Sequence, residues 1–286
     1  MTILELSDVC YTYDKGTPEA NEALSHIDLK IEKGSMTGLI GHTGCGKSTL
    51  LRMLNGLLRP DSGKILVDGK DIWENPKEIS KVRFRVGLVM QYPEYQLFDE
   101  TVRADIAYGP KNMKLDEQEI ARRVEAAASF AGLTPDLLDK SPFELSGGQK
   151  RRAAIAGVMA MQPEILVLDE PAAGLDPKGR EDIFAGLERY RRESGATVIV
   201  VSHSMEDMAR YCERLIVMND GAIYMEGTQA QVFGEPEKLM QIGLGVPEVT
   251  RLVAKLREGG MPLSPDIYTV EAAKAALLPL LGGERA

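Results

Sequence analysis

The chain has 286 residues, 44% hydrophobic and 27% charged, with a net charge of −9. That is ordinary globular composition, long enough for one large domain or two modest ones. The acidic balance argues against nucleic-acid binding, and no apolar run approaches the ~20 residues of a membrane span. Cys10, Cys45 and Cys212 are scattered without metal-ligand spacing, as expected of a reduced, cytosolic chain. The N-terminus lacks the basic and apolar regions of a signal peptide.

The elements follow in chain order. "TILELSDVCYTY" and "LSHIDLKIEKG" read as strands separated by the turn residues "DKGTPEAN". "MTGLIG" is a short apolar strand. After "HTGCGK", Leu50, Leu54 and Leu57 fall at helical spacing, and "RPDSG" stops that helix. "KILVDGKDI" is a strand and turn, and "VGLVMQ" is a buried strand that delivers Gln91. Residues from about 92 to 160 are mainly helical. Asp116 and Glu119 make a capping pair for one helix there, and a second runs through "GGQKRRAAIAGVMAM". Strand and helix then alternate. "EILVLDE" is a strand, followed by a helix with Asp176 as N-cap and Pro177 at N1. "TVIVVSH" is a strand and "SMEDMARYC" a short helix. "RLIVMNDGAIYMEG" is a hairpin turning at Asn219-Asp220-Gly221. From about 228 onward, short helices are broken by Gly and Pro.

Three stretches carry chemistry. Gly41-His42-Thr43-Gly44-Cys45-Gly46-Lys47-Ser48, followed by Thr49, fits the phosphate-binding loop G-x-x-x-x-G-K-[ST] between an apolar strand and an apolar helix. Backbone N–H groups there cradle phosphate, Lys47 neutralises the β and γ phosphates, and Ser48 ligates Mg²⁺. "ILVLDE" is a buried strand ending in two acids. Asp169 suits Mg²⁺ and Glu170 suits the polarisation of an attacking water. Leu145-Ser146-Gly147-Gly148-Gln149 precedes a helix and offers a second anion cradle. Alone it also reads as a plain Gly-rich cap. A second cradle on one chain makes most sense if it closes over ATP held by another chain.

In this order, "GHTGCGKST", Gln91, "LSGGQ", "ILVLDEP", "GLDP" and His203 resemble the ATP-binding cassette (ABC) ATPases over roughly residues 1–230. The resemblance implies an α/β P-loop NTPase with an N-terminal antiparallel β subdomain. A helical subdomain is nested within it at about 92–160, and a small C-terminal helical appendage occupies 231–286. It further implies that Tyr13 stacks on adenine and that Gln91 reaches Mg²⁺ and the attacking water. Ser146, Gly147 and Gly148, with Gln149, would meet the opposite subunit's γ-phosphate. Asp176 would link the two sites across the dimer, and His203 would contact the γ-phosphate. Without the family, His203 reads as a structural histidine and Tyr13 as an ordinary strand aromatic. Two positions depart from the pattern: Cys45 stands where Ser is common, and Ala172 where Thr is frequent.

"QYPEYQLFDETV" resembles the segment after the Gln in energy-coupling-factor ATPases, supported by "GTPEANEAL", "GP.N" and "GMPL". The match is most like the second of the paired ATPases. It implies a heterodimer with a sibling ATPase, a homodimer being the alternative. It also implies a transmembrane coupling subunit gripped through Tyr92, Glu94, Tyr95, Leu97 and Phe98, with Glu94 pairing an Arg of that partner. A substrate-binding membrane subunit would be reached indirectly, and the chain would sit on the cytoplasmic face of the membrane. The cargo would be a vitamin or a transition-metal ion. The runner-up readings are an ordinary ABC importer and a soluble ABC ATPase of DNA repair or the ribosome.

Overall fold

The computed structural model describes residues 1–281. The strands are β1 (Thr2–Tyr13), β2 (Asn21–Glu32), β3 (Met36–Gly41), β4 (Ser62–Val67), β5 (Lys70–Asp71), β6 (Val86–Val89), β7 (Ile165–Asp169), β8 (Thr197–Val201), β9 (Arg214–Asn219) and β10 (Ala222–Thr228). They form two sheets. A four-stranded antiparallel sheet has the order β2-β1-β4-β5, and a six-stranded sheet the order β10-β9-β3-β8-β7-β6. In the larger sheet all neighbours run parallel except the β9–β10 hairpin. β3, β7 and β8 are buried along their whole length. A parallel sheet covered on both faces needs such unbroken apolar strands rather than alternation. The hairpin turns on Asp220 and Gly221, both at positive φ, as a two-residue primed turn requires.

The helices are α1 (Lys47–Leu54), α2 (Ile79–Arg85), α3 (Val102–Asn112), α4 (Glu117–Phe130), α5 (Pro135–Leu138), α6 (Gly147–Met159), α7 (Pro177–Ser194), α8 (Met205–Tyr211), α9 (Gln229–Phe233), α10 (Pro236–Gln241), α11 (Glu248–Glu258) and α12 (Val270–Leu281). One core lies between the two sheets, where Leu4, Val9 and Ile27 of the small sheet meet Leu39, Val167 and α1. The second covers the other face of the large sheet and extends into the α3, α4 and α6 bundle through Ile106, Val124 and Ile155. Val253, Leu263, Ile267 and Ala273 form a small separate cluster around α11 and α12. The last residues of the C-terminal segment, 282–286, lie outside the described residues. No helix among the described residues is long and apolar enough to cross a membrane.

Two local expectations need correction, and one helix goes unmarked in the sequence. Helix α1 ends at Leu54. Gly56 takes positive φ, the chain folds back so that Leu57 N–H donates to the Arg52 carbonyl at 2.8 Å, and Leu57 is exposed. The Asp116 cap is one-sided. Its carboxylate accepts from Glu119 N–H at 2.9 Å, but the Glu119 carboxylate is held by Arg122 and Arg123 instead of returning to the cap. Helix α2 has no counterpart in the periodicity, because it is short and buries none of its residues.

Candidate functional site

The site is built where β3, β7 and β8 end. The chain leaves β3 at Gly41 and enters α1 at Lys47. At Gly46 φ is +100°, and a Cβ would lie 2.5 Å from the Ala23 carbonyl oxygen, so only glycine lets the loop pass beneath β2. Lys47 is buried, and its ammonium donates to the Gly41 carbonyl at 2.7 Å and the His42 carbonyl at 2.8 Å. A cation is thereby held at the loop by groups that carry no counter-charge.

Ser48 Oγ donates to Asp169 Oδ2 at 2.8 Å and ties the first turn of α1 to the end of β7. Thr49 Oγ1 lies 3.2 Å from the Tyr13 hydroxyl at the end of β1, and Tyr11 packs edge-on against Tyr13 at 4.8 Å. Glu170 follows Asp169 with φ of 53°, a strained conformation for a non-glycine residue and one that clusters at functional sites. Its carboxyl is buried, and Oε1 has no hydrogen-bond partner. His203 Nε2 stands 3.4 Å from that oxygen, in range of an ion pair but not bonded to it. Burial, reinforced by the neighbouring Asp169 charge, pushes the Glu170 pKa up to about 7. Burial and then the Lys47 charge push that of His203 down. A carboxyl titrating near neutrality beside an open cleft can take a proton from water at working pH.

These groups line one cleft of about 530 Å³. It gathers Tyr13, Thr43, Gly44, Gly46, Lys47, Ser48, Thr49, Gln91, Asp169, Glu170 and His203. His42 turns away from it, its ring bonded to the Thr43 carbonyl at 2.9 Å and 3.6 Å from Asp220. The Cys45 thiol is buried under the loop, 3.7 Å from the Lys47 ammonium. Ser48, Asp169 and Gln91 present only oxygen or amide donors, which suits a hard cation such as Mg²⁺. Asn21, Glu22, Ala23 and Asp220 also line the cleft and have no motif to mark them. They arrive through tertiary contacts: Ser25 N–H donates to the Gly221 carbonyl, and Gly221 N–H to the Cys45 carbonyl.

The second cradle is elsewhere. Ser146 caps α6 with a reciprocal box. Its hydroxyl accepts from Gln149 N–H, and Gln149 Oε1 accepts from Ser146 N–H at 2.9 Å. Ser146 and Gly147 are exposed, and neither they nor Gly148, Gln149 or Asp176 line the cleft. Asp176 caps α7 through Gly179 N–H at 2.8 Å. The start of α6, with its exposed Ser146 and Gly147, thus lies apart from the Lys47 loop.

In the segment after Gln91, Tyr92, Tyr95 and Phe98 are exposed, and Phe98 packs edge-on against Tyr108 at 5.0 Å. Leu97 packs on the core. Glu94 departs from the expectation of a free acid awaiting a partner's Arg. Both its oxygens are taken by buried Arg151 of α6, at 2.9 and 3.1 Å, and Arg151 also donates to the Ala173 carbonyl.

The family model for ABC transporters matches residues 24–173. The chain belongs to the ABC transporter ATPase family. It is 51% identical to the energy-coupling factor transporter ATP-binding protein EcfA2 of Clostridium acetobutylicum over 97% of this chain and 98% of that one. It is 52% identical to EcfA2 of Clostridium perfringens with the same coverage. The solved structure of cbiO1 from Clostridium perfringens, part of the ABC transporter complex cbiONQ, superposes with a TM-score of 0.76 at 39% identity, over 90% of this chain and 99% of that one. The dimeric cassette MJ0796, in a post-hydrolysis state bound to ADP and Pi, superposes with a TM-score of 0.71 at 31% identity, over 79% of this chain and 98% of that one. As an ABC ATPase homologous to EcfA2, the chain binds and hydrolyses ATP.

Proposed function

We propose that this ABC ATPase is the second-type ATP-hydrolysing subunit of an energy-coupling-factor importer, working as a heterodimer with a sibling cassette on the cytoplasmic face of the membrane. The observation that carries the composite site is the separation of the two anion cradles. The Lys47 loop lines the cleft, and the Ser146 cap is exposed outside it. ATP lying on one chain's loop is then closed over by Ser146, Gly147 and Gly148 of the other, with Gln149 bracing that cap and Asp176 near the seam.

Within the cleft each group has a task. The Gly41–Thr49 loop and Lys47 take the phosphates, and Tyr13 takes the base. Ser48, Asp169 and Gln91 would hold Mg²⁺, which would neutralise charge on the phosphates. Glu170 accepts the proton of the attacking water through its unpartnered, buried Oε1. A pKa of about 7 leaves it partly ionised at neutral pH and able to return the proton afterwards. His203, held neutral by burial and Lys47, donates to the γ-phosphate side or orients the water. Separation of in-line chemistry from bulk water follows when the second chain closes.

Coupling to the membrane runs through the segment after Gln91. Tyr92, Tyr95 and Phe98 offer the anchor area, and aromatic anchors dominate such interfaces. Glu94 and Leu97 act from the inside, Glu94 by bracing the segment against α6 through Arg151. The membrane partner is a coupling subunit that carries a separate substrate-binding membrane protein, and the cargo is a vitamin or transition-metal ion. Affinity purification from membranes tests this reading. A sibling cassette and a small coupling membrane protein are expected with the chain. A two-permease set with a soluble binding protein instead would identify an ordinary ABC importer.

A further inference from the structure

On the face of the small sheet turned away from the core, three potential metal ligands of different chemistry converge. Asp8 and Cys10 lie on β1 and His26 on β2, and their ligand atoms are all within 4.8 Å of one another. The convergence follows from two irregularities in the β1–β2 ladder. Leu6 to Val9 on β1 pairs with only Leu29 to Ile27 on β2, which places an extra residue on β1. Val9 to Tyr11 then pairs with Ile27 to Leu24, which places the extra residue on β2. Each bulge holds one residue in the left-handed region, Asp8 at φ 52° and His26 at φ 50°. Bulges re-aim side chains. Here they keep Leu6, Val9, Leu24 and Ile27 buried while Asp8 and His26 are turned outward side by side. Asp28 steadies the turn by accepting from Asp8 N–H at 2.9 Å.

We propose that Asp8, Cys10 and His26 form a binding site for a divalent transition-metal ion of the zinc and cobalt class, separate from the Mg²⁺ of the nucleotide cleft. Ligand chemistry sets the class, because a thiolate and an imidazole prefer such ions to Mg²⁺ or Ca²⁺. His26 Nδ1 and Asp8 Oδ1 are 2.5 Å apart as a hydrogen-bonded pair that an ion would part, and all three ligand atoms lie within 4.8 Å of one another. Tetrahedral zinc separates its N, O and S ligands by about 3.3–3.8 Å, so small side-chain rotations suffice for these three to close on one ion. The Cys10 thiol loses its proton to solvent on binding, and water completes the coordination. All three groups are reachable from solvent, whereas Cys45 and Cys212 are buried. The ion would clamp β1 to β2, the two strands that carry Tyr13 and the Ala23 edge to the nucleotide cleft.

The test is a Co²⁺ titration of the full-length chain after chelation, followed by its absorption spectrum. One equivalent should bind in the low-micromolar range, with a thiolate-to-cobalt band in the near ultraviolet that Zn²⁺ abolishes and Mg²⁺ does not. Cys10→Ser should eliminate that band while ATP binding is retained, which confirms an intact fold. His26→Ala should weaken Co²⁺ binding at least tenfold. Zn²⁺ should raise the Tm of the parent chain and not that of Cys10→Ser. Absence of a thiolate band, its survival in Cys10→Ser, or Co²⁺ affinity unchanged in His26→Ala would each overturn the assignment.

Discussion

Glu170→Gln should make the nucleotide-free chain more stable, and by an amount that depends on pH. The Glu170 pKa stands at about 7 against an ordinary 4.5, chiefly because burial penalises its charge and secondarily because of Asp169. Between those two values the folded chain holds more protons than the unfolded one, so stability falls as pH rises through the window. Above it the parent chain carries a buried, partly unpartnered carboxylate at a cost on the order of 2–3 kcal/mol. Glutamine has nearly the same shape and no charge. The variant should therefore unfold roughly 5 °C or more above the parent at pH 8.5 and alongside it at pH 4.5. His203 has a depressed pKa, and its contribution runs the other way, since neutral histidine favours the fold as pH rises towards 6.5. Burial and Lys47, the causes of that shift, are unchanged by the substitution, and repeating the comparison in a His203→Gln background removes the coupling between two groups 3.4 Å apart. Thermal melts of the two proteins in parallel across this range decide the matter. An offset that does not change with pH would show that Glu170 is solvated and titrates normally, and the proton-acceptor role would lose its physical basis.

Glu94→Ala should destabilise the chain by about 3 kcal/mol or more, measured by urea unfolding, because it leaves buried Arg151 without its counter-charge. A loss below 1 kcal/mol would mean the pair is effectively solvent-screened. Gly46→Ala should abolish ATP binding in a fluorescent-nucleotide assay, since its Cβ collides with the Ala23 carbonyl and its φ is disfavoured. Lys47→Met should lose ATP binding while keeping its melting behaviour to within a few degrees, and a bound-nucleotide stoichiometry equal to the parent's would contradict its role. Tyr95→Ala and Phe98→Ala should weaken assembly with the membrane partner at least tenfold and cost the chain no more than about 1.5 kcal/mol of stability, the most an edge-on contact such as Phe98–Tyr108 contributes.

Much of the cleft was readable because its parts are local. The loop from Gly41 to Ser48 and the strand ending at Asp169 and Glu170 each sit in one short stretch, and a buried parallel strand announces itself by its unbroken apolar run. The same holds for the Asp176 cap and the Asp220-Gly221 turn, whose residue types are dictated by backbone conformation. What stayed hidden depends on distant contacts. Nothing near Glu94 announces that Arg151, far along the chain, will take its carboxylate. Asn21, Glu22 and Ala23 reach the cleft only because β2 is laid across the loop and the β9–β10 hairpin. The split between exposed Phe98 and core-packed Leu97 arises from an irregular turn with no periodicity to read. Leu57 shows the converse error, in which correct helical spacing was overruled by the reversal at Gly56.

In the proposed dimer, ATP is hydrolysed at a site completed by the exposed Ser146 cap of a second cassette. Ser146→Arg, introduced into this chain and into the matching serine of its partner cassette, tests it most directly. Mg²⁺·ATP should still bind each Lys47-type loop with near-parental affinity, while steady-state hydrolysis should fall by on the order of 10²-fold or more. Hydrolysis at the parental rate in that doubly substituted pair would contradict it and place the whole reaction within a single chain's cleft.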